Sequence, residues 1–193
     1  ADDLAFRIQI AVYAYFIFGI LWIIESCSNI GWTALSGNVS HWYFFRDDKD
    51  FYTRTPLLRS LGRVFRFHLG SIFFGSFIIA VVQFIRLVLL LIDKYTKKQQ
   101  QANFLLKLAI KCTQCCMYCL EKTLKFITDY CYIYVAMQGS GFCRSCFATF
   151  TLIMAHPAQL TINTFVRVIL SWVQLLGLPV ACAFLVNIVL TAQ

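Results

Sequence analysis

The first forty residues constrain the fold more than any other part of the chain. From Ile8 to Ser40 the run is apolar, and Glu25 is its only charged residue. A membrane-spanning helix needs about 20 such residues, so this run must tilt, kink or extend beyond the lipid. The whole chain is 60% hydrophobic and only 13% charged, whereas a soluble domain is about a quarter charged. We therefore predict an all-α, polytopic helical membrane protein.

The apolar runs divide residues 1–193, predicted to form a single helical membrane domain. We expect about three full spans, one glycine-broken or re-entrant helix pair and one amphipathic interfacial helix. Their predicted bounds are about 8–43, 68–92, 104–125 (the interfacial helix), 126–155 (the broken pair) and 164–190. Gly139 and Gly141 part the broken pair into pieces too short to span alone. Such a break must be enclosed by protein or line a cavity, so it is a candidate functional centre.

Four cysteines lie close together in the stretch "KCTQCCMYCLEK": Cys112, Cys115, Cys116 and Cys119. On an α-helix they fall on one stripe, with lysines on the opposite side. One continuous helix cannot bring all four to a zinc ion, which needs tetrahedral ligands at about 2.3 Å. The pattern favours a basic amphipathic helix, lying in lipid or against neighbouring helices, over a metal or redox site.

The net charge of +8 raises the question of a partner. Lys and Arg cluster at the ends of the apolar runs, where they would meet lipid headgroups, including anionic ones. From Leu57 to Phe67 the chain carries arginines at helical spacing, so we expect this segment to lie along the membrane surface. Residues 97–102 read as a linker, and Asp47, Asp48 and Asp50 as solvated loop charges. The lipid bilayer is therefore the expected partner, and nucleic acid is not.

Small residues mark places where helices can approach closely. Ser71 and Gly75 have the small-xxx-small spacing of close helix pairs. The predicted helix-packing positions are Gly37, Gly70, Ser71, Gly75 and Ser76.

Several ordered stretches resemble the choline transporter-like family. They are "GNVSHWYF" at the end of the first span, "RFHLGSIFFGS" from Arg66 to Ser76, "QFIRLVL", "CLEKTLKF" and "YIYVAMQGSGFCRS" from Tyr132 to Ser145. The resemblance implies a longer protein with more spans, of which this chain resembles part of the C-terminal half. The opening "ADDLAF" has no initiator Met, so we expect a processed product or part of a longer chain. Other membrane subunits, or the missing spans of the same protein, are then candidate partners.

The resemblance implies choline or a related cation as substrate. A quaternary ammonium cannot donate a hydrogen bond, so proteins hold it with aromatic faces, sometimes helped by a carboxylate. An acid within a span is costly and usually faces a cavity or a partner, which makes Glu25 the leading candidate. The alternatives are a structural ion pair with Arg86 or a position nearer the membrane interface. The candidate substrate-binding residues are Glu25, Trp22, Trp32, Tyr132 and Tyr134.

Two functions remain open on the sequence. The first is a transporter that moves choline or a related organic cation by alternating access, without an ATP-driven motor. The alternative is a non-transporting structural subunit of a larger membrane complex, built from a truncated or divergent transporter-like fold. A third interpretation is a peripheral scaffold whose basic helix recruits anionic lipid. We predict no catalytic residue, metal site or cofactor, and therefore no enzyme.

Overall fold

The computed structural model describes residues 2–46, 55–96 and 104–191. The predicted loop acids Asp47, Asp48 and Asp50 and the predicted linker at 97–102 lie outside these described residues. Within the described residues the chain is helical and contains no strand.

Residues 2–46, 55–96 and 104–191 contain six α-helices and one π-helical turn. They are α1 (Asp2–Phe45), α2 (Pro56–Arg63), the π-turn (Val64–His68), α3 (Leu69–Tyr95), α4 (Phe104–Gln138), α5 (Phe142–Ala155) and α6 (Pro157–Thr191). In the described part of the chain, three helical stretches are long and apolar enough to cross a membrane: Leu4–Phe45, Pro56–Tyr95 and Pro157–Thr191. These observations confirm the predicted class of helical membrane protein.

The first helix is longer than a bilayer is thick. Its 44 residues rise about 1.5 Å each, so it measures about 66 Å against a hydrocarbon core of about 30 Å. An uninterrupted helix of this length must therefore tilt or extend beyond the lipid.

One helix boundary differs from that predicted. The segment Leu57 to Phe67 continues through the π-turn into α3, which begins at Leu69, beside the predicted start of the span at residue 68. Its location at the membrane surface stays a prediction. Pro56 stands at the start of α2, where its missing N–H is not needed. The expected interfacial helix at 104–125 does not end before the broken pair but continues to Gln138 within α4, because residues 104–138 contain no Gly or Pro.

The helical structure is interrupted between α4 and α5 at Gly139, Ser140 and Gly141. Gly139 has a positive φ of 69°, a conformation that glycine adopts without steric cost at helix C-termini. Its N–H still donates to the Val135 carbonyl at 2.8 Å. Across the break the Sγ atoms of Cys131 and Cys146 lie 3.0 Å apart, so the start of α5 is held against α4.

The buried core lies where α1, α3 and α4 pack together. It contains Ala34, Val64, Ile72 and Tyr132, with Ile30, Trp32, Leu61 and Phe142 packed around them. The predicted packing residues differ in their surroundings. A Cβ at Gly75 would meet Tyr132 and Phe142, and one at Gly37 would lie 2.8 Å from Ser60 Oγ, whereas Gly70 has open space. Ser76 is buried and Ser71 is half-buried.

The chain forms two compact units, Ala1–Thr149 and Phe150–Gln193. The passage from one to the other lies within α5. A single domain over residues 1–193 stays a prediction.

Candidate functional site

Polar side chains from α1, α3 and α4 meet in an otherwise apolar helix bundle. Glu25 Oε1 lies 2.7 Å from Lys125 Nζ and accepts a hydrogen bond from Gln83 Nε2 at 2.6 Å. Glu121 Oε2 lies 2.5 Å from Arg86 Nη1, and Glu121 Oε1 lies 3.8 Å from Lys125 Nζ. We call Glu25, Gln83, Arg86, Glu121 and Lys125 the charged cluster.

Helical spacing explains why two helices each contribute two members to the charged cluster. Gln83 and Arg86 are three residues apart on α3, and Glu121 and Lys125 are four apart on α4. Residues at these spacings share one face of a helix. Glu25 completes the set from α1, so the site exists only where the three helices meet.

The charges within the cluster balance. Two carboxylates stand against one guanidinium and one ammonium, which limits the cost of placing charge in a low-dielectric environment. The side chains of Glu25 and Glu121 are 14% and 10% exposed, whereas those of Lys125 and Arg86 are 36% and 32% exposed. The acids therefore lie inside and the bases reach in from the rim.

The charge state of Glu121 follows from its partners. Burial alone would raise the pKa of Glu121, but the hydrogen bond and charge of Arg86 outweigh it. Lys125 and Gln83 act in the same direction. The net result is a pKa below the usual range, so Glu121 is an anion near neutral pH.

Gln83 has an unused hydrogen-bonding group at the cluster. While its amide N–H donates to Glu25, its Oε1 is buried and has no hydrogen-bond partner among the described residues. A buried acceptor left unpaired is costly, so this atom is a natural place for a donor from a ligand.

An aromatic ring lies beside the bases of the cluster. The Arg86 guanidinium stands 4.8 Å from the centre of the Tyr118 ring, and Lys122 Nζ lies 5.7 Å from it. Tyr118 is exposed, so its ring is a cation-binding surface open to the outside.

Among the described residues, the structure does not contain the Glu25–Arg86 ion pair that was considered from the sequence. The partner of Glu25 is Lys125 on α4, and Arg86 pairs with Glu121, because α4 presents its own acid and base between α1 and α3. Sequence reasoning missed Glu121 and Lys125 as site residues. The available signal was that Glu121 is the only acid between residues 104 and 128, followed four residues later by a lysine.

The predicted aromatic residues connect helices in this structure. Trp22 Nε1 donates to the Phe73 carbonyl at 3.1 Å, Trp32 Nε1 to the Asp129 carbonyl at 3.0 Å, and Tyr132 Oη to the Ile72 carbonyl at 3.0 Å. These bonds join α1 to α3, α1 to α4 and α4 to α3, around the helices that carry the cluster. Tyr134 is half-buried on α4. Substrate binding by these four aromatic residues stays a prediction.

Comparison with known proteins identifies the family of the chain. The sequence model described as "Plasma-membrane choline transporter" matches residues 5–193. Choline transporter-like protein 5 of Mus musculus is 34% identical over 174 residues, covering 89% of this chain and 24% of the relative. Choline transporter-like protein 2 of Dictyostelium discoideum is 34% identical over 179 residues, covering 92% and 27%.

A third relative, choline transporter-like protein 2 of Danio rerio, is 36% identical over 148 residues, covering 77% of this chain and 21% of the relative. The chain thus spans about a quarter of the length of the curated relatives it matches. With three stretches suited to crossing a membrane, it is an integral, multi-pass membrane protein. Since the match covers residues 5–193, this chain belongs to the plasma-membrane choline transporter family.

Proposed function

We propose that this chain takes part in moving choline or a related organic cation across a membrane by alternating access, without an ATP-driven motor. Family membership supports a transporter-like role. The observation that carries the substrate class is the Glu25 carboxylate, which lies largely buried between helices and already holds a cation, the ammonium of Lys125.

Lys125 acts in this proposal as a tethered competitor of the substrate. A choline ammonium entering the cluster would replace Lys125 Nζ at Glu25. The displaced lysine keeps a second acid, because Glu121 Oε1 is 3.8 Å away, and its side chain is exposed enough to swing outward. Substrate binding therefore exchanges one ion pair for another and leaves no carboxylate bare.

Gln83 supplies the second contact. Choline carries a hydroxyl group, and the unpaired Oε1 of Gln83 would accept its hydrogen bond beside Glu25. The exposed ring of Tyr118, which already faces two cations, would receive the ammonium on its way in.

Uptake into proteoliposomes tests the proposal. The full-length protein should accumulate labelled choline above empty liposomes, and tetramethylammonium, which lacks the hydroxyl, should compete more weakly than choline. Glu25→Gln should lower uptake at least about tenfold, the effect of losing about 1.4 kcal/mol of binding. Lys107→Gln, which removes a charge from the exposed face of α4, should leave uptake unchanged.

Lys125→Met separates this role from a structural one. If Lys125 competes with substrate, its removal should lower the half-saturating choline concentration, by on the order of tenfold for a coupling of about 1.4 kcal/mol. If the ion pair only holds the helices together, Lys125→Met should reduce the amount of folded protein and leave the half-saturating choline concentration unchanged. Uptake equal to empty liposomes, with folded protein present, would instead favour the structural-subunit function.

A further inference from the structure

A small basic crevice lies away from the charged cluster, where α2 packs on the C-terminal part of α1. The crevice is shallow and partly open to the outside, and its walls include Asn38 and His41 from α1 and Arg59 and Arg63 from α2. Nothing in the proposed transport step uses these residues.

The packing of α2 on α1 builds the crevice. Ser60 Oγ donates to the Ala34 carbonyl at 2.7 Å, which fastens one helix to the other. Gly37 allows this approach, because a Cβ at that position would lie 2.8 Å from Ser60 Oγ. The lining side chains therefore stand on two helices whose separation is set by a buried contact.

The chemistry of the walls suits an anion. Arg59 and Arg63 are four residues apart and share one face of α2, so both guanidinium groups reach the same opening. Within the described parts of the chain, neither arginine pairs with a carboxylate. The amide of Asn38 adds a hydrogen-bond donor. Two guanidinium forks beside a neutral donor are a recurring arrangement for binding phosphate.

The surroundings of the crevice indicate which kind of phosphate it would meet. Apolar side chains next to it in sequence are exposed, including Trp42, Tyr43, Leu57, Leu58 and Phe65. Trp and Tyr favour the headgroup layer of a membrane. A phosphate joined to acyl chains would satisfy the arginines and cover these apolar groups at once, which a free phosphate ion would not.

We infer that the crevice between α1 and α2 binds the phosphate of an anionic phospholipid headgroup. The proposed lipid site shares no residue with the charged cluster, so its test does not depend on whether the protein transports choline.

Lipid retention by the purified full-length protein tests this inference. In mixed micelles, native mass spectrometry should detect tighter binding of phosphatidylglycerol than of phosphatidylcholine. Arg59→Gln/Arg63→Gln should weaken phosphatidylglycerol binding roughly 100-fold, from at least about tenfold for each charge-assisted hydrogen bond to the phosphate that is lost. Arg59→Lys/Arg63→Lys keeps the charges but loses the forked donors, so it should recover only part of the binding.

Arg66→Gln is the matched control. Arg66 belongs to the same arginine series but its guanidinium lies over the Phe67 ring at 5.4 Å, not in the crevice. Its removal takes away one charge near the membrane surface but no contact in the crevice, so it should weaken the binding no more than about fivefold.

Two results would overturn the inference. One is equal retention of the two lipids by the unmodified protein, a measurement that does not depend on whether any variant folds. The other is displacement of phosphatidylglycerol by inorganic phosphate as effective as displacement by excess anionic lipid, since the ligand would then be the free ion.

Discussion

At Gly75, one side chain from α4 and one from α5 pack against the backbone of α3. The hydroxyl of Tyr132 and the ring of Phe142 both lie where a Cβ would stand, and the same hydroxyl donates to the Ile72 carbonyl at 3.0 Å. Gly75 thereby lets a buried tyrosine reach the backbone of α3. Among the small residues predicted to pack between helices, Gly75 is important because the Tyr132 and Phe142 side chains approach its backbone closely.

Gly75→Ala should lower the stability of the folded protein by about 1–3 kcal/mol, as overpacking a filled core does. Gly70→Ala is the matched control, since nothing lies within 4 Å of its Cβ position. That substitution should be neutral, or stabilising by up to about 1 kcal/mol, because Ala favours helix over Gly. Melting temperatures in detergent measure both, and equal losses for the two variants would contradict the predicted packing.

Glu121 lies close to both bases of the charged cluster. Glu121→Gln removes the partner of Arg86 and the second acid of Lys125. We expect the free energy of unfolding to fall by about 1–3 kcal/mol, because a partly buried polar group is then left without a good hydrogen-bond partner.

A double-mutant cycle with Arg86→Met checks that this loss comes from the pair. The Arg86→Met/Glu121→Gln variant should be more stable than the sum of the two single losses implies, because neither charge is then left alone. Strictly additive losses would show that the two side chains do not interact.

At the scale of elements, the π-turn and the glycine break are two places where the regular α-helical backbone is interrupted between α2 and α5 without a long loop. The π-turn at Val64–His68 joins α2 to α3 without a loop, and such turns locally disturb the hydrogen-bond ladder of a helix. The break after α4 is different, because Gly139 leaves the helical region of backbone space altogether.

The two glycines of the break should respond differently to alanine. Gly139→Ala should cost about 1–2 kcal/mol, because an L-residue is strained at positive φ. Gly141→Ala should cost little, since its Cβ position is open. Thermal unfolding of the two variants is the measurement, and a Gly139→Asn variant should recover part of the loss because Asn tolerates this conformation. No difference between the alanine variants would argue against the break at Gly139.

At the scale of the whole molecule, the long apolar helices determine where the protein can reside. The stretches Leu4–Phe45, Pro56–Tyr95 and Pro157–Thr191 expose many large apolar side chains. In water, surfaces this apolar would cause the protein to aggregate, whereas the acyl chains of a bilayer can cover them.

The protein should therefore stay with the membrane fraction after washing at alkaline pH and leave it only with detergent. A peripheral membrane protein in the same preparation, released by the wash, is the control. The readout is immunoblotting of pellet and supernatant. Recovery of monodisperse protein in detergent-free supernatant would contradict an integral membrane location.

Properties that depend on the local sequence could be predicted. The class of helical membrane protein follows from the length and hydropathy of the runs, and the break at Gly139 follows from glycine's freedom at positive φ. The end of the predicted interfacial helix was misplaced, because residues 104–138 contain no helix-breaking residue and hydropathy alone does not end a helix. Glu25 could be recognised because a lone acid in an apolar run is unusual.

The sequence by itself determined that helices of this length and apolarity belong in a bilayer, since hydropathy and backbone preference are properties of each segment alone. Only the tertiary structure decided that Glu25 pairs with Lys125 and Arg86 with Glu121. Those choices depend on how α1, α3 and α4 are rotated and shifted against one another. The same packing determines which glycines are crowded, because a gap becomes a contact only when a neighbouring helix fills it.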